Sequence, residues 1–343
     1  MAVELGVGRT AEVMSVVLDG ISSFKVKVDA SDDTRSKTLF GNGRMQVKVQ
    51  VLVTGVDSNG TPVHVPAVVM DSIELIHYTT GKTLRAGWAA SAEQGRFTLE
   101  APAVTTVGGG DDDAEDDVLH HQVRTFWVSS SGAGTTQIAA RLSLQGQTIT
   151  TNGTALGGVH DSSVTLEAQP PQAYAMEQFR WHMTRRGNEE PRNRIFNYYL
   201  GLYPNGQQIK LVDWIADGAV AEENYKFVSA NKLYAYATNY LSGILARPTA
   251  THVQLSLPYN GDAIAFAVFR DAITRDSKLY SVRVNDRDGE LTFVQALSEY
   301  SRIAPEFKSD KVFQFRAIDQ HGTEHKLAIR TDFAARDFYV ERG

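Results

Sequence analysis

The chain is 343 residues long, has no cysteine, and sets 34 Lys and Arg against 40 Asp and Glu for a formal charge of −6. That length can supply its own hydrophobic core, and the missing cysteines exclude disulfides, thiolate metal sites and a cysteine nucleophile. Six acids in one run, Asp111, Asp112, Asp113, Glu115, Asp116 and Asp117, account for the excess, so the remainder is balanced and offers no strong field to nucleic acid or an anionic membrane.

The first residues, MAVELGVGRTAEVM, lack a basic leader, and the apolar run from Met14 to Leu18 stops at Asp19. No secretory signal and no stretch of transmembrane length are expected, so synthesis in the cytoplasm follows, with an extracellular location open to the chain as part of a particle. Residues 1–38 read as an N-terminal arm. Phe24, Val26 and Val28 alternate with Lys25 and Lys27, Val13 to Leu18 is a second candidate strand, and the polar segment from Ser31 to Lys37 links the arm to the body. A strand on such a linker can pair with its own sheet or with a neighbour's, so Phe24, Val26 and Val28 are candidate assembly residues.

The body is read as residues 39–169, and it begins with LFGNGRMQVKVQVLVT. Met45, Val47, Val49, Val51 and Val53 share one face of an extended segment, and Gln46, Lys48, Gln50 and Thr54 share the other. This is the period of a strand with one buried face. Gly41 and Gly43 around Asn42 suit a sharp turn into it. Asn59-Gly60 and Thr80-Gly81 mark further turns, Ile73 to Tyr78 reads as a more central strand, and Arg96 to Glu100 as a short one. Residues 106–117, TVGGGDDDAEDD, cannot bury an apolar face and read as a solvated acidic loop. Calcium is the sharper alternative, but the ligand spacing of a known calcium loop is missing. Strands are expected again at Val118–Ser129, Thr135–Leu144, Gln147–Thr151 and Ser162–Ala168, and Pro170-Pro171 closes the region.

Residues 172–343 form the second expected domain. Asn205-Gly206, Asn260-Gly261, Asp288-Gly289 and His321-Gly322 each sit between or before strand-like runs, as tight hairpin turns do. Two stretches depart from the pattern. Leu233, Tyr236, Tyr240, Leu241 and Ile244, and then Phe293, Leu297, Tyr300 and Ile303, recur at helical spacing ahead of Pro248 and Pro305. The expected fold is therefore mainly β: an antiparallel β-sandwich or barrel-like N-terminal region, followed by a β-rich domain with one or two helices.

Chemistry is hard to find. There is no G-x-S-x-G elbow around Ser129, Ser130 and Ser131, and no H-E-x-x-H; His120 and His121 would point to opposite faces of a strand. His321 and His325 around Glu324 lack a third ligand, and Val284 to Leu291 reads as an Asp-Gly hairpin rather than a calcium loop. Arg180, Trp181, Arg185, Arg186, Arg192, Arg194 and Phe196 combine charge with aromatics, which suits nucleic acid, a protein interface or a solvated loop with packed aromatics; Glu189, Glu190 and the acidic chain weigh against nucleic acid. Arg180, Trp181, Arg185 and Arg186 therefore join Phe24, Val26 and Val28 as candidate assembly residues.

No catalytic residue, cofactor or metal ligand is assigned. Hairpins rich in Thr, Gly and Val, a detachable arm and no cysteine suggest a non-enzymatic structural subunit of a self-assembling particle or filament, such as a virion or phage tail, partnered by copies of itself or neighbouring subunits. The alternative is a secreted β protein that binds glycans through its 13 Tyr and 4 Trp or acts on membranes.

Overall fold

A computed structural model describes residues 17–28, 35–85, 87–98, 121–153, 160–186, 192–235, 238–259, 273–303 and 312–343. The protein is nearly all β, built from several mainly antiparallel sheets, and it divides into two compact units, Met1–Pro171 and Gln172–Gly343. The acidic run 106–117, the Val13–Val16 part of the second arm strand and the Asn260-Gly261 turn lie outside the described residues.

In the first unit the strands are β1 (Gly20–Lys27), β2 (Ser36–Phe40), β3 (Met45–Val56), β4 (Pro62–Val63), β5 (Glu74–His77), β6 (Trp88–Ser91), β7 (Phe97–Thr98), β8 (Gln122–Ser130), β9 (Gly134–Leu144), β10 (Gln147–Thr150) and β11 (Val164–Gln169). One sheet runs β1-β3-β8-β6, with β4 and β7 also paired to β3; the other runs β10-β9-β11-β2, with β5 on β9. A single core holds Val47, Val49, Val51 and Val53 of the first sheet with Ile138, Ala140, Leu142 and Leu166 of the second, so the unit is a β-sandwich. From Met45 to Val53 buried residues alternate with partly buried ones, as the sequence period requires, and beyond it Thr54 and Gly55 are both buried. Each buried valine contributes about 1.5 kcal/mol or more by area.

The turn into β3 works through Asn42, whose Oδ1 accepts from the backbone N–H of Arg44 at 2.9 Å and of Met45 at 2.8 Å. Gly43 takes φ +75° there, while Gly41 is needed for another reason: a Cβ on it would lie 2.3 Å from the carbonyl oxygen of Gly132. The arm reading is corrected at β1. This strand pairs antiparallel with β3 of the same chain, and Phe24, Val26 and Val28 are 1%, 4% and 2% exposed within that unit's core. Their side chains fill the core of that sandwich and are not exposed on its surface. A short helix, α1 (Ala67–Asp71), follows Pro66 and buries Val69 and Met70.

The second unit contains β12 (Phe179–Arg185), β13 (Asn193–Leu202), β14 (Leu211–Ile215), β15 (Tyr225–Ala235), β16 (Thr238–Leu245), β17 (His252–Pro258), β18 (Ile273–Thr274), β19 (Ser277–Arg283), β20 (Leu291–Ser298), β21 (Ser301–Arg302), β22 (Phe313–Asp319), β23 (Glu324–Asp332) and β24 (Asp337–Arg342). Its central sheet, β12-β13-β20-β16-β15, is covered on both faces. On one side Tyr198, Leu241, Phe293 and Leu297 pack with Phe315, Leu327 and Phe338 of the sheet β14-β22-β23-β24. On the other, Ile195, Tyr240, Val294 and Ala296 pack with Val253, Leu255 and Val282 of the β17-β19 pair.

This second covering layer explains the two helices expected from sequence. β20 is buried at all eight positions, so apolar residues occupy both faces and the period-two signal is lost; the spacing of Phe293 and Leu297 is that of alternate residues on one strand face. Leu233 to Ile244 is likewise divided between β15 and β16, which pair antiparallel. Two expected hairpins are crossovers instead. β13 and β14, around Asn205-Gly206, enter different sheets, as do β19 and β20 around Asp288-Gly289, whereas β22 and β23 do form the hairpin at His321-Gly322.

Candidate functional site

Polar side chains of the second unit gather around β12. Alternation sends Trp181 and Met183 to one face of the sheet and Arg180 and His182 to the other. Antiparallel pairing sets Trp181 opposite Leu200, His182 opposite Tyr199 and Met183 opposite Tyr198.

On the first face the Trp181 ring stacks on Tyr198, centroids 5.1 Å apart, and its indole N–H donates to the carbonyl of Phe338 at 3.0 Å. The Tyr198 hydroxyl donates to Asp337 Oδ1 at 2.7 Å, and burial together with this bond raises its pKa far above the ordinary value of 10. Tyr198 is thus a fixed donor and not a base. Beside it opens a cavity of about 590 Å³, lined by Met183, Arg194, Phe196, Leu297 and Arg336 among others. Thr238 joins the two arginines: Arg194 Nη2 donates to its hydroxyl and Arg336 Nη2 to its carbonyl, the latter at 3.2 Å. Arg336 is 8% exposed and holds φ +59°, a costly backbone for a residue with a side chain. The turn leading to it is tied by Asp332, whose Oδ1 accepts from the N–H of Ala334 at 2.8 Å and of Ala335 at 2.9 Å. Those amides, the Ala335 N–H first, hold the Asp332 carboxyl below its usual range.

On the second face His182 stacks on Tyr199 at 5.2 Å, and the Arg287 guanidinium covers that tyrosine ring at 4.2 Å. His182 Nε2 and Glu290 Oε2 face each other at 3.9 Å, both buried and neither hydrogen-bonded to protein. Tyr203 donates to the other Glu290 oxygen at 2.6 Å, with Arg180 over the Tyr203 ring at 4.3 Å. Burial, then the Arg287 charge, lowers the His182 pKa against the opposing pull of Glu290. The neutral imidazole is favoured there. Nearby Asp286 accepts from the Tyr199 hydroxyl at 2.9 Å and from Arg186 Nη2 at 3.1 Å; burial opposes ionisation, but these donors win and its carboxyl titrates below the usual range.

Of the arginine and aromatic cluster, the structure brings Arg180, Trp181 and Arg185 onto one edge strand and spends the rest elsewhere. Arg186 pairs with Asp286 and Arg192 with Glu299 at 3.2 Å, while Arg194 faces the cavity, so the charges do not form one continuous basic surface. The four tryptophans do not stand out as platforms either: Trp88, Trp127 and Trp214 are buried, and Trp181 is half-buried under its stack. His325 meets Asp319 in a buried pair at 3.0 Å, and Glu324 meets Arg316 at 3.1 Å. Among the described residues no three His, Asp or Glu side chains are grouped to hold a metal ion, and no helix is long and apolar enough to cross a membrane. Tyr198, His182, Glu290 and Arg336 carry no local motif: Tyr198 meets Asp337, His182 meets Glu290 and Arg336 meets Thr238 across long stretches of chain, whereas Arg180, Trp181 and Arg185 sit together on one strand.

By fold, the class is a mainly β protein of two units, one of them a sandwich. No family model matches the chain, and no curated protein matches it. Among solved structures it is similar to domains 5–6 of the S-layer protein SbsC, at 10% identity and TM-score 0.20 over 94% of this chain and 96% of that one. Domains 4–9 of the surface layer protein SbsC align at 11% identity and TM-score 0.19 over 95% of this chain and 31% of that one. A structure called BspA_C_WT aligns at 10% identity and TM-score 0.19 over 93% and 99%. At these TM-scores the likeness carries no argument about function.

Proposed function

We propose that the chain is a non-enzymatic structural subunit that associates with copies of itself through a free sheet edge, foremost that of β12, in a particle or filament. The edge of β12 carries this reading. It is seven residues long, pairs in unbroken register with β13, and among the described residues ends its sheet on the other side. The other edge strands of seven or more residues bear protective devices: β1 has Lys25, Lys27 and a register shift, β15 has Lys226, Lys232 and two shifts, β17 ends in Pro258, and β19 carries Lys278; the six-residue β24, in unbroken register with β23, has none of these and is the second candidate edge. Such features discourage strand addition. β12 has no Lys, Pro or bulge, and it presents Arg180, Arg185 and a 50% exposed Met183 beside Trp181, residue types enriched at protein interfaces.

The test is multi-angle light scattering of the full chain across a range of concentrations. Mass above the monomer that rises with concentration is expected. Thr184→Lys, which gives β12 the device its counterparts carry, is expected to weaken association about tenfold, ~1.4 kcal/mol, without changing the fold. A monodisperse monomer at every concentration overturns the proposal.

A further inference from the structure

We infer that β12 joins β12 of a second copy of this chain, antiparallel across a two-fold axis at Met183, so that Arg185 of each copy lies against Trp181 of the other. This rests on the association proposed above and adds its symmetry and register. The backbone decides which residues are offered. The Arg186 N–H donates to the Ile195 carbonyl at 3.1 Å and the Tyr203 N–H to the Gln178 carbonyl at 2.8 Å, so even-numbered residues of β12 face β13. The N–H and C=O groups of Trp181, Met183 and Arg185 then point to the open side, where no described residue takes them. Phe179 closes the series, because its N–H goes to the Met176 carbonyl. An axis at Met183 sets Trp181 against Arg185, Met183 against Met183 and Arg185 against Trp181, and so engages all three open residues in about six bonds.

β24, the second candidate edge, offers less. The Gly343 N–H donates to the Lys326 carbonyl at 3.3 Å, which turns Phe338, Val340 and Arg342 outward. Phe338 is already spent: its N–H donates to Asp337 Oδ1 at 2.8 Å, and its carbonyl accepts the Trp181 indole N–H at 3.0 Å. Trp181 thus closes part of one edge while its own backbone stays open on the other.

The side chains are self-complementary in this register. Arg185 is exposed and has no acid paired to it among the described residues. Set across from an indole it gains a cation–π contact, and the two-fold makes that contact twice. The two Arg185 side chains themselves stay about 13 Å apart along the strands. Met183, 50% exposed in the single chain, is covered by its own copy. On the other face His182 meets Thr184, and Arg180 meets Arg186, whose charge Asp286 already matches at 3.1 Å. Such a contact is isologous and closes as a pair, so growth beyond a dimer draws on another surface.

The chain has no cysteine, so one introduced thiol reports on its own symmetry mate. Full-length Met183→Cys and Arg185→Cys are oxidised with copper phenanthroline at a concentration where light scattering shows association, and are read on non-reducing gels. Met183→Cys is expected to cross-link at least about tenfold faster than Arg185→Cys. Facing Cα atoms of a bonded pair lie about 5.5 Å apart, within disulfide reach, whereas two thiols at position 185 would be about 13 Å apart. Adding Thr184→Lys should slow the Met183→Cys cross-link about tenfold. Arg185→Gln should weaken dimerisation about fivefold through the two lost cation–π contacts. Cross-linking of Arg185→Cys as fast as Met183→Cys, association of reduced Met183→Cys without its cross-link, or wild-type affinity in Arg185→Gln overturns the register while leaving the free-edge reading in place. A monomer at every concentration removes both.

Discussion

The two central strands of this protein were given opposite environments. β3 in the first unit buries one face, and its Gln46, Lys48 and Gln50 lie partly open on the other; β20 in the second unit is buried at all eight positions between two layers. A one-sided strand writes its geometry into the sequence as alternation, whereas a two-sided strand erases that signal and relies on neighbours for its register. The same difference sets where polar groups go. In β20 the buried Gln295 must find partners, and it donates to the Arg336 carbonyl at 2.9 Å. That bond helps hold the strained turn at the cavity.

The comparison can be broken most directly with charges. Val49→Asp should abolish folding of the first unit, a loss of ~5 kcal/mol or more, while Gln50→Glu one residue on should cost about 1 kcal/mol or less. In β20 the neighbouring pair Phe293→Asp and Val294→Asp should both unfold the second unit, as urea titration followed by circular dichroism will show. A tolerated charge at either β20 position would mean that one of its faces is open. Val26→Asp comes next. Because Val26 is 4% exposed against its own core, it should destabilise the first unit by about 3 kcal/mol or more, and stability near wild type would return β1 to the status of a detachable arm.

A smaller effect is expected where the two-sided sheet is tightest. A Cβ on Gly243 would meet Phe227 Cζ at 2.5 Å, so Gly243→Ala should cost about 1–3 kcal/mol through overpacking. The smallest effect concerns pH. The folded state lowers the His182 pKa below 6.5, so the unfolded chain binds that proton more readily. Stability from this residue is therefore fully present above about pH 6.5 and declines as pH falls from there through the lowered folded value. His182→Gln should flatten that slope in denaturation curves collected between pH 7 and about pH 5.

How much of this was legible follows from the same physics. The valines of β3, the Asn42 turn, the alternation of β9 and the β22-β23 hairpin are local facts, and the residues stated them. Phe24, Val26 and Val28 were recognised as one face of a strand, but which sheet that face would meet is a long-range fact. β16 and β20 read as helices because covering layers supplied by β17, β19, β22 and β23 put apolar residues on both sides. The site was less legible than the fold. Arg194 and Arg336 stand far apart in sequence and meet at Thr238, and His182 faces Glu290 more than 100 positions along the chain. Arg180, Trp181 and Arg185 could be grouped in advance because a single strand carries them.

The claim that β12 is the edge through which copies join is tested most directly by hydrogen exchange on the full chain at low and high concentration, read over residues 179–185. The account predicts that backbone amides of β12 gain protection in step with the rise in mass, and that Thr184→Lys suppresses both together. A rise in mass with β12 exchange unchanged would contradict it.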